Sequence, residues 1–142
     1  MFSKMISWFM SVVIFVCSLL GIHIGSGNSD ELISYNKTKT IVTVSLDENP
    51  STGYGWQYTV SKDGIIILTD DSYHSDAPGE IVGAGGIRAF SFSGLKDGLT
   101  LITFTYLRPW EGTPIRTVVI ECQVNSDRTV DAKLVSDVSD AL

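Results

Sequence analysis

The chain has 142 residues, 16 acidic side chains against 10 basic ones, and a formal net charge of −6. That length holds one domain, and the acidic balance argues against binding to nucleic acid or to an anionic membrane surface. Two cysteines, Cys17 and Cys122, and two histidines, His23 and His74, leave little room for thiol or imidazole chemistry.

Residues 1–27, MFSKMISWFMSVVIFVCSLLGIHIGSG, begin with a short basic start at Lys4 and run almost wholly apolar to Ile24. Small residues follow at Gly25, Ser26 and Gly27. This is the pattern of a signal peptide cut near residues 25–28. A retained membrane anchor is the alternative, because an apolar run of about 20 residues can span a bilayer. Cleavage removes Lys4, Cys17 and His23 and leaves 16 acidic against nine basic residues, with His74 and Cys122 as the last of their kinds. An exported domain with one cysteine has no internal disulfide. It must be held by its core, which about 115 residues can supply. Cys122 sits in the alternating run TVVIECQV. It reads as a small buried core residue in preference to a reactive thiol.

Residues 28–37 form a polar N-terminal arm, within which Asn36-Lys37-Thr38 is an N-glycosylation sequon. From there the period is two. Residues 40–46 place Val42, Val44 and Leu46 on one side, and residues 56–60 do the same with Trp56, Tyr58 and Val60. Residues 65–68 are a short apolar strand, and residues 87–92 alternate again. Residues 99–107 set Ile102, Phe104 and Tyr106 on one face, and residues 117–124 gather Val118, Ile120, Cys122 and Val124. Alternation of this kind, broken by Gly, Asp, Ser and Pro turns, predicts an all-β, antiparallel β-sandwich over residues 38–125. Residues 126–142 are a polar C-terminal tail, read as a final edge strand and a loose end.

Catalytic equipment is sparse. Ser72, His74 and Asp76 lie in TDDSYHSDAPGE, read as a solvated acidic loop in which nothing locks a triad. A metal site from His74, Asp70, Asp71 and Asp76 has suitable ligand types but no recognisable spacing. No metal, cofactor or enzymatic activity is expected.

Three loops carry the functional signal. In NPSTGYGW, Pro50 fixes a turn while Gly53 and Gly55 permit backbone shapes closed to other residues, displaying Ser51, Thr52 and Tyr54. In VGAGGIRAF, Gly83, Gly85 and Gly86 allow close backbone approach. In LRPWEGTP, Pro109 restrains a loop that carries Arg108 and Trp110, residue types enriched at binding hot spots.

Taken in order, these loops resemble those of the chagasin family, inhibitors of papain-like cysteine peptidases. NPSTGY matches its N-P-T-T-G-Y loop, GAGG its G-x-G-G loop and RPW its R-P-W loop, across residues 38–124. Ser51 stands where the family more often has Thr, which keeps the hydroxyl and loses a methyl. The resemblance implies a disulfide-free immunoglobulin-like sandwich whose three loops form a wedge at one end. It implies that Asn49, Pro50, Ser51, Thr52, Gly53 and Tyr54 enter the peptidase cleft, with Thr52 against the catalytic cysteine. Gly83, Ala84, Gly85 and Gly86 would lie along the non-primed side, and Arg108, Pro109 and Trp110 would engage the primed side. The product expected is a monomeric, reversible, non-covalent inhibitor, secreted or held in a vesicular or lysosomal lumen, or periplasmic or extracellular if bacterial, with no membrane attachment after cleavage. The competing reading is an immunoglobulin-like adhesion or carbohydrate-binding module, which gives no reason for three such loops together.

Overall fold

The computed structural model describes residues 32–76, 83 and 85–140. The leader, residues 28–31 of the arm and Ala84 lie outside the described residues. Eight strands appear in chain order: β1 (Ile33–Tyr35), β2 (Ile41–Glu48), β3 (Gly55–Val60), β4 (Ile66–Ser75), β5 (Gly86–Gly94), β6 (Gly98–Leu107), β7 (Arg116–Val124) and β8 (Val130–Ser139). They form two four-stranded antiparallel sheets, β1-β2-β5-β4 and β3-β6-β7-β8.

The alternation seen in the sequence is the alternation of burial. Val42, Val44 and Leu46 of β2 and Phe90 and Phe92 of β5 face Ile102 and Phe104 of β6 and Val118, Ile120, Cys122 and Val124 of β7. Facing inner surfaces of this kind are the standard way for two sheets to share one core. Tyr58 meets the rings of Phe90 and Phe92 edge-on, at 5.8 and 5.2 Å between centroids, a favoured aromatic arrangement.

Cys122 is fully buried and unpaired. Burial pushes its thiol up to about 12, with the Glu121 carboxylate adding to the effect. Thiolate is the reactive form. In the chain lacking residues 1–27, Cys122 should therefore resist a thiol-disulfide reagent until guanidinium unfolds the protein. Stoichiometric labelling of the native domain would contradict this.

Residues 70–75 are not the solvated loop expected from their polarity. They are the second half of β4 and pair residue by residue with β5, from Asp70↔Ser91 to Ser75↔Gly86, after a bulge between Leu68 and Asp70. The reason is the neighbour: β5 presents a free ladder edge, and Arg88 on β5 grips Asp71 through two hydrogen bonds. That contact raises the Arg88 guanidinium pKa above its ordinary value.

The sheets also draw on both flanks of the alternating region. β1 lies in the polar arm, where Leu32 and Ile33 pack against the core. β8 lies in the tail as an edge strand on β7, anchored by the fully buried Val130 and by a bidentate Arg116–Asp137 pair at 2.9 and 2.7 Å. The two strands meet across the sandwich. The Tyr35 hydroxyl donates to Ala132 O at 3.2 Å and accepts from Ala132 N at 2.9 Å, and Val130 N–H donates to Lys39 O.

Strand register sets where the loops emerge. Glu48 at the end of β2 pairs with Gly86 at the start of β5, and Gly86 pairs with Ser75 at the end of β4. Gly55 at the start of β3 pairs with Leu107 at the end of β6, and Tyr106 pairs with Arg116 at the start of β7. The β2–β3, β4–β5 and β6–β7 connections therefore leave the same end of the molecule.

Candidate functional site: three loops at one end

The β2–β3 connection builds its own rigid turn. Pro50–Thr52 form a single 3-10 turn with Asn49 as its N-cap, a position suited to a short polar side chain. The Asn49 carboxamide oxygen accepts from the Ser51 amide at 3.2 Å and from the Ser51 hydroxyl at 2.6 Å. Serine in place of threonine at 51 thus retains the group the turn uses. The Thr52 hydroxyl donates to Asn49 O at 2.7 Å. Gly53 closes the turn at φ +81°, in the left-handed region that favours glycine.

The β6–β7 connection folds against this turn. Arg108 Nε donates to Thr52 O at 2.9 Å, and its guanidinium carbon lies 4.4 Å from the Tyr54 ring centroid. Arg108 Nη1 donates to Glu111 within the same loop at 3.2 Å. Trp110 is 71 % exposed, yet one edge of its indole covers Gly53. A Cβ on Gly53 would lie 2.6 Å from Trp110 Cη2. Exposure of so large an apolar ring on a tethered loop suits contact with a partner.

The glycine loop is tied in from the other side, where Asn49 Nδ2 donates to Gly83 O at 3.2 Å. Its three described glycines differ in kind. Gly83 has φ +90° with open space around it, and Gly85 has no positive φ and only ordinary contact with Glu48 O at 3.8 Å. Gly86 is jammed: a Cβ there would fall 2.3 Å from His74 O. Gly85 is therefore unstrained, and Gly86 is glycine because of β4.

Beneath the loops lies support that reading the motifs did not find. Tyr106 stacks on Trp56 at 4.8 Å, packs against Tyr54 at 5.4 Å, and accepts a hydrogen bond from the Asn49 amide at 3.1 Å. The Trp56 indole N–H donates to Asp47 O at 2.8 Å. Glu48 is buried at the rim of the core, 3.5 Å from Arg88, which carries the link on to Asp71. A buried carboxylate needs such a partner. The parity of Val42, Val44 and Leu46 runs on to Glu48 and could have placed it inside.

The remaining candidates are occupied elsewhere. Ser72 Oγ and His74 Nε2 stand 3.4 Å apart on one edge strand. Among the described residues no group of His, Cys, Asp or Glu is arranged to hold a metal ion. Asn36 of the sequon organises the β1–β2 turn. Its Oδ1 accepts from the Thr40 and Ile41 amides, and its Nδ2 donates to the Thr38 and Thr40 hydroxyls, all within 2.9–3.1 Å.

The fold is a pair of four-stranded antiparallel sheets with three loops hydrogen-bonded to one another at one end. Residues 36–124 match the model of the chagasin family, peptidase inhibitor I42. Amoebiasin-2 of Entamoeba histolytica (strain ATCC 30459 / HM-1:IMSS / ABRM) is 32% identical over 90 residues, covering 63% of this chain and 73% of that protein. The crystal structure of the cysteine protease inhibitor EhICP2 from Entamoeba histolytica aligns at 34% identity with a TM-score of 0.49, over 56% of this chain and 73% of that one. The chain belongs to the chagasin family, and the function this membership carries is inhibition of papain-like cysteine peptidases, not catalysis.

Proposed function

We propose that this immunoglobulin-like domain inhibits by occlusion. The loop at 49–54 enters the peptidase cleft, with Thr52 nearest the catalytic cysteine. The loop at 83–86 runs along the non-primed side by backbone contact, and Arg108, Pro109 and Trp110 lie on the primed side. The observation that carries this reading is the cross-bonding of the three loops through Asn49 and Arg108. Loops already held in shape lose little conformational entropy when they dock, and an interface of about 800 Å² per partner suffices. The loops bear no group that acylates or alkylates a thiol, so the block is reversible. The active form is a secreted or vesicular monomer that begins near residue 28, after loss of the leader, and its inhibitory domain extends beyond residues 38–125 to take in β1 and β8.

Titration of the purified domain against papain should abolish peptidase activity at stoichiometric ratio, and dialysis should restore it. A covalent adduct in the mass spectrum, or equal potency on a serine protease, would refute occlusion. N-terminal sequencing of the native product tests the leader, since an intact Met1 in stripped membranes would establish the anchor instead.

A further inference from the structure

We propose that Arg108 is a positioning residue, working inside the inhibitor to fuse the loops at 49–54 and 108–112 into one rigid body. The proposal rests on the occlusion reading for its consequence, but its physical core concerns the free protein. Two arms of this guanidinium and its flat face are turned to the protein itself. Nε donates to Thr52 O, Nη1 donates to Glu111 Oε1, and the planar group lies 4.4 Å from the Tyr54 ring and 6.0 Å from the Trp110 ring. The Arg108 carbonyl also accepts from the amides of Glu111 and Gly112, each at 3.0 Å. Its side chain is 33 % exposed, against 71 % for the Trp110 residue two positions on.

Thr52 O is the decisive partner. It is a carbonyl at the end of the 3-10 turn, where helical geometry leaves acceptors without intrahelical donors. Arg108 supplies that donor from the facing loop, 56 positions along the chain. Trp110 of the same loop lies over Gly53, next to Thr52, so the clamp would also fix the seat of the exposed indole. Lysine cannot reproduce the arrangement, because a point-like ammonium lacks the planar fork and the flat face that stacks on rings. Glu111 belongs to the device as well, since it holds the second arm of the fork.

The mechanism predicts a population effect. If the two loops move independently, only a fraction of molecules present the docking shape, and apparent affinity falls by that fraction. The loss then appears in the association rate.

The test uses Arg108→Lys, Arg108→Ala and Glu111→Gln. Hydrogen exchange of the free protein reads the Gly53 amide, which donates to Pro50 O across the turn. Both Arg108 variants should speed this exchange about tenfold, as expected for loss of one charge-assisted hydrogen bond. Glu111→Gln should act in the same direction but less. Amides of β7 should be unaffected in all three, which excludes global unfolding. With papain, Arg108→Lys should slow association nearly as much as Arg108→Ala. Unchanged Gly53 exchange in Arg108→Ala, with weaker inhibition arising from dissociation alone, would overturn the proposal and make Arg108 a direct contact. Full inhibition by Arg108→Lys would also overturn it. Failure of the unmodified protein to inhibit papain would refute the occlusion reading and leave the exchange measurement to judge the clamp.

Discussion

Trp110→Ala should raise the dissociation constant for a papain-like peptidase by roughly 30-fold or more while leaving thermal stability nearly unchanged. The indole is 71 % exposed and contributes no side chain to the core. Its contacts are with Gly53 and the Arg108 guanidinium, both on the same rim. Removing a rigid aromatic from the centre of an interface costs about 2 kcal/mol or more, and about 1.4 kcal/mol is tenfold. A surface truncation of this kind changes stability by no more than about 0.5 kcal/mol. An indole folded into the core would behave in the opposite way, with a loss of roughly 3–5 kcal/mol of stability. The decisive measurement takes melting temperature and inhibition constant from one sample. A large fall in melting temperature, with inhibition per folded molecule intact, would remove Trp110 from the interface.

The contrast between Trp110 and its neighbours also shows what can be read from a chain without its fold. Strands were legible where one face is buried and the other is wet. Residues 40–46, 99–107 and 117–124 announced β2, β6 and β7 almost to their ends. Residues 70–75 did not, because an edge strand of Asp, Ser, Tyr and His has no apolar rhythm and owes its shape to β5 and Arg88. The tail was open to reading only as a candidate edge strand, since one buried valine and an Arg116–Asp137 pair anchor β8. The three loops were visible because Gly, Pro and exposed aromatics advertise stiff turns. What holds them was not. The Arg108–Thr52 and Asn49–Gly83 bonds link a side chain to a distant backbone carbonyl, and a carbonyl carries no residue-specific signal. The glycines were legible as glycines, but the reason for each was not. A sequence shows that a side chain is missing, not which neighbour forbids it.

That last point gives a large and separable effect for Gly86→Ala. The new methyl would sit 2.3 Å from His74 O and 2.6 Å from Tyr73 Oη. The tyrosine can swing aside, but the carbonyl belongs to a strand that is paired with β5 through Ser75↔Gly86 and His74↔Ile87. Relief requires β4 and β5 to separate at the end where the glycine loop begins. Overpacking of this sort costs about 1–3 kcal/mol and occasionally more, a fall in melting temperature of roughly 5–15 °C for a domain of this size. Gly85→Ala, one residue earlier, is the matched control. Its methyl would meet only Glu48 O at 3.8 Å, with no positive φ to strain, so stability should hold within about 0.5 kcal/mol. On the occlusion reading the control still weakens inhibition, because bulk is added where backbone must lie against the peptidase. Gly86→Ala should therefore lose stability first and inhibition as a consequence, and Gly85→Ala should lose inhibition alone. Thermal melts and inhibition constants on the pair decide between the two causes. A Gly86→Ala protein that melts like the parent but no longer inhibits would show that Gly86 acts through contact with the peptidase and not through the scaffold.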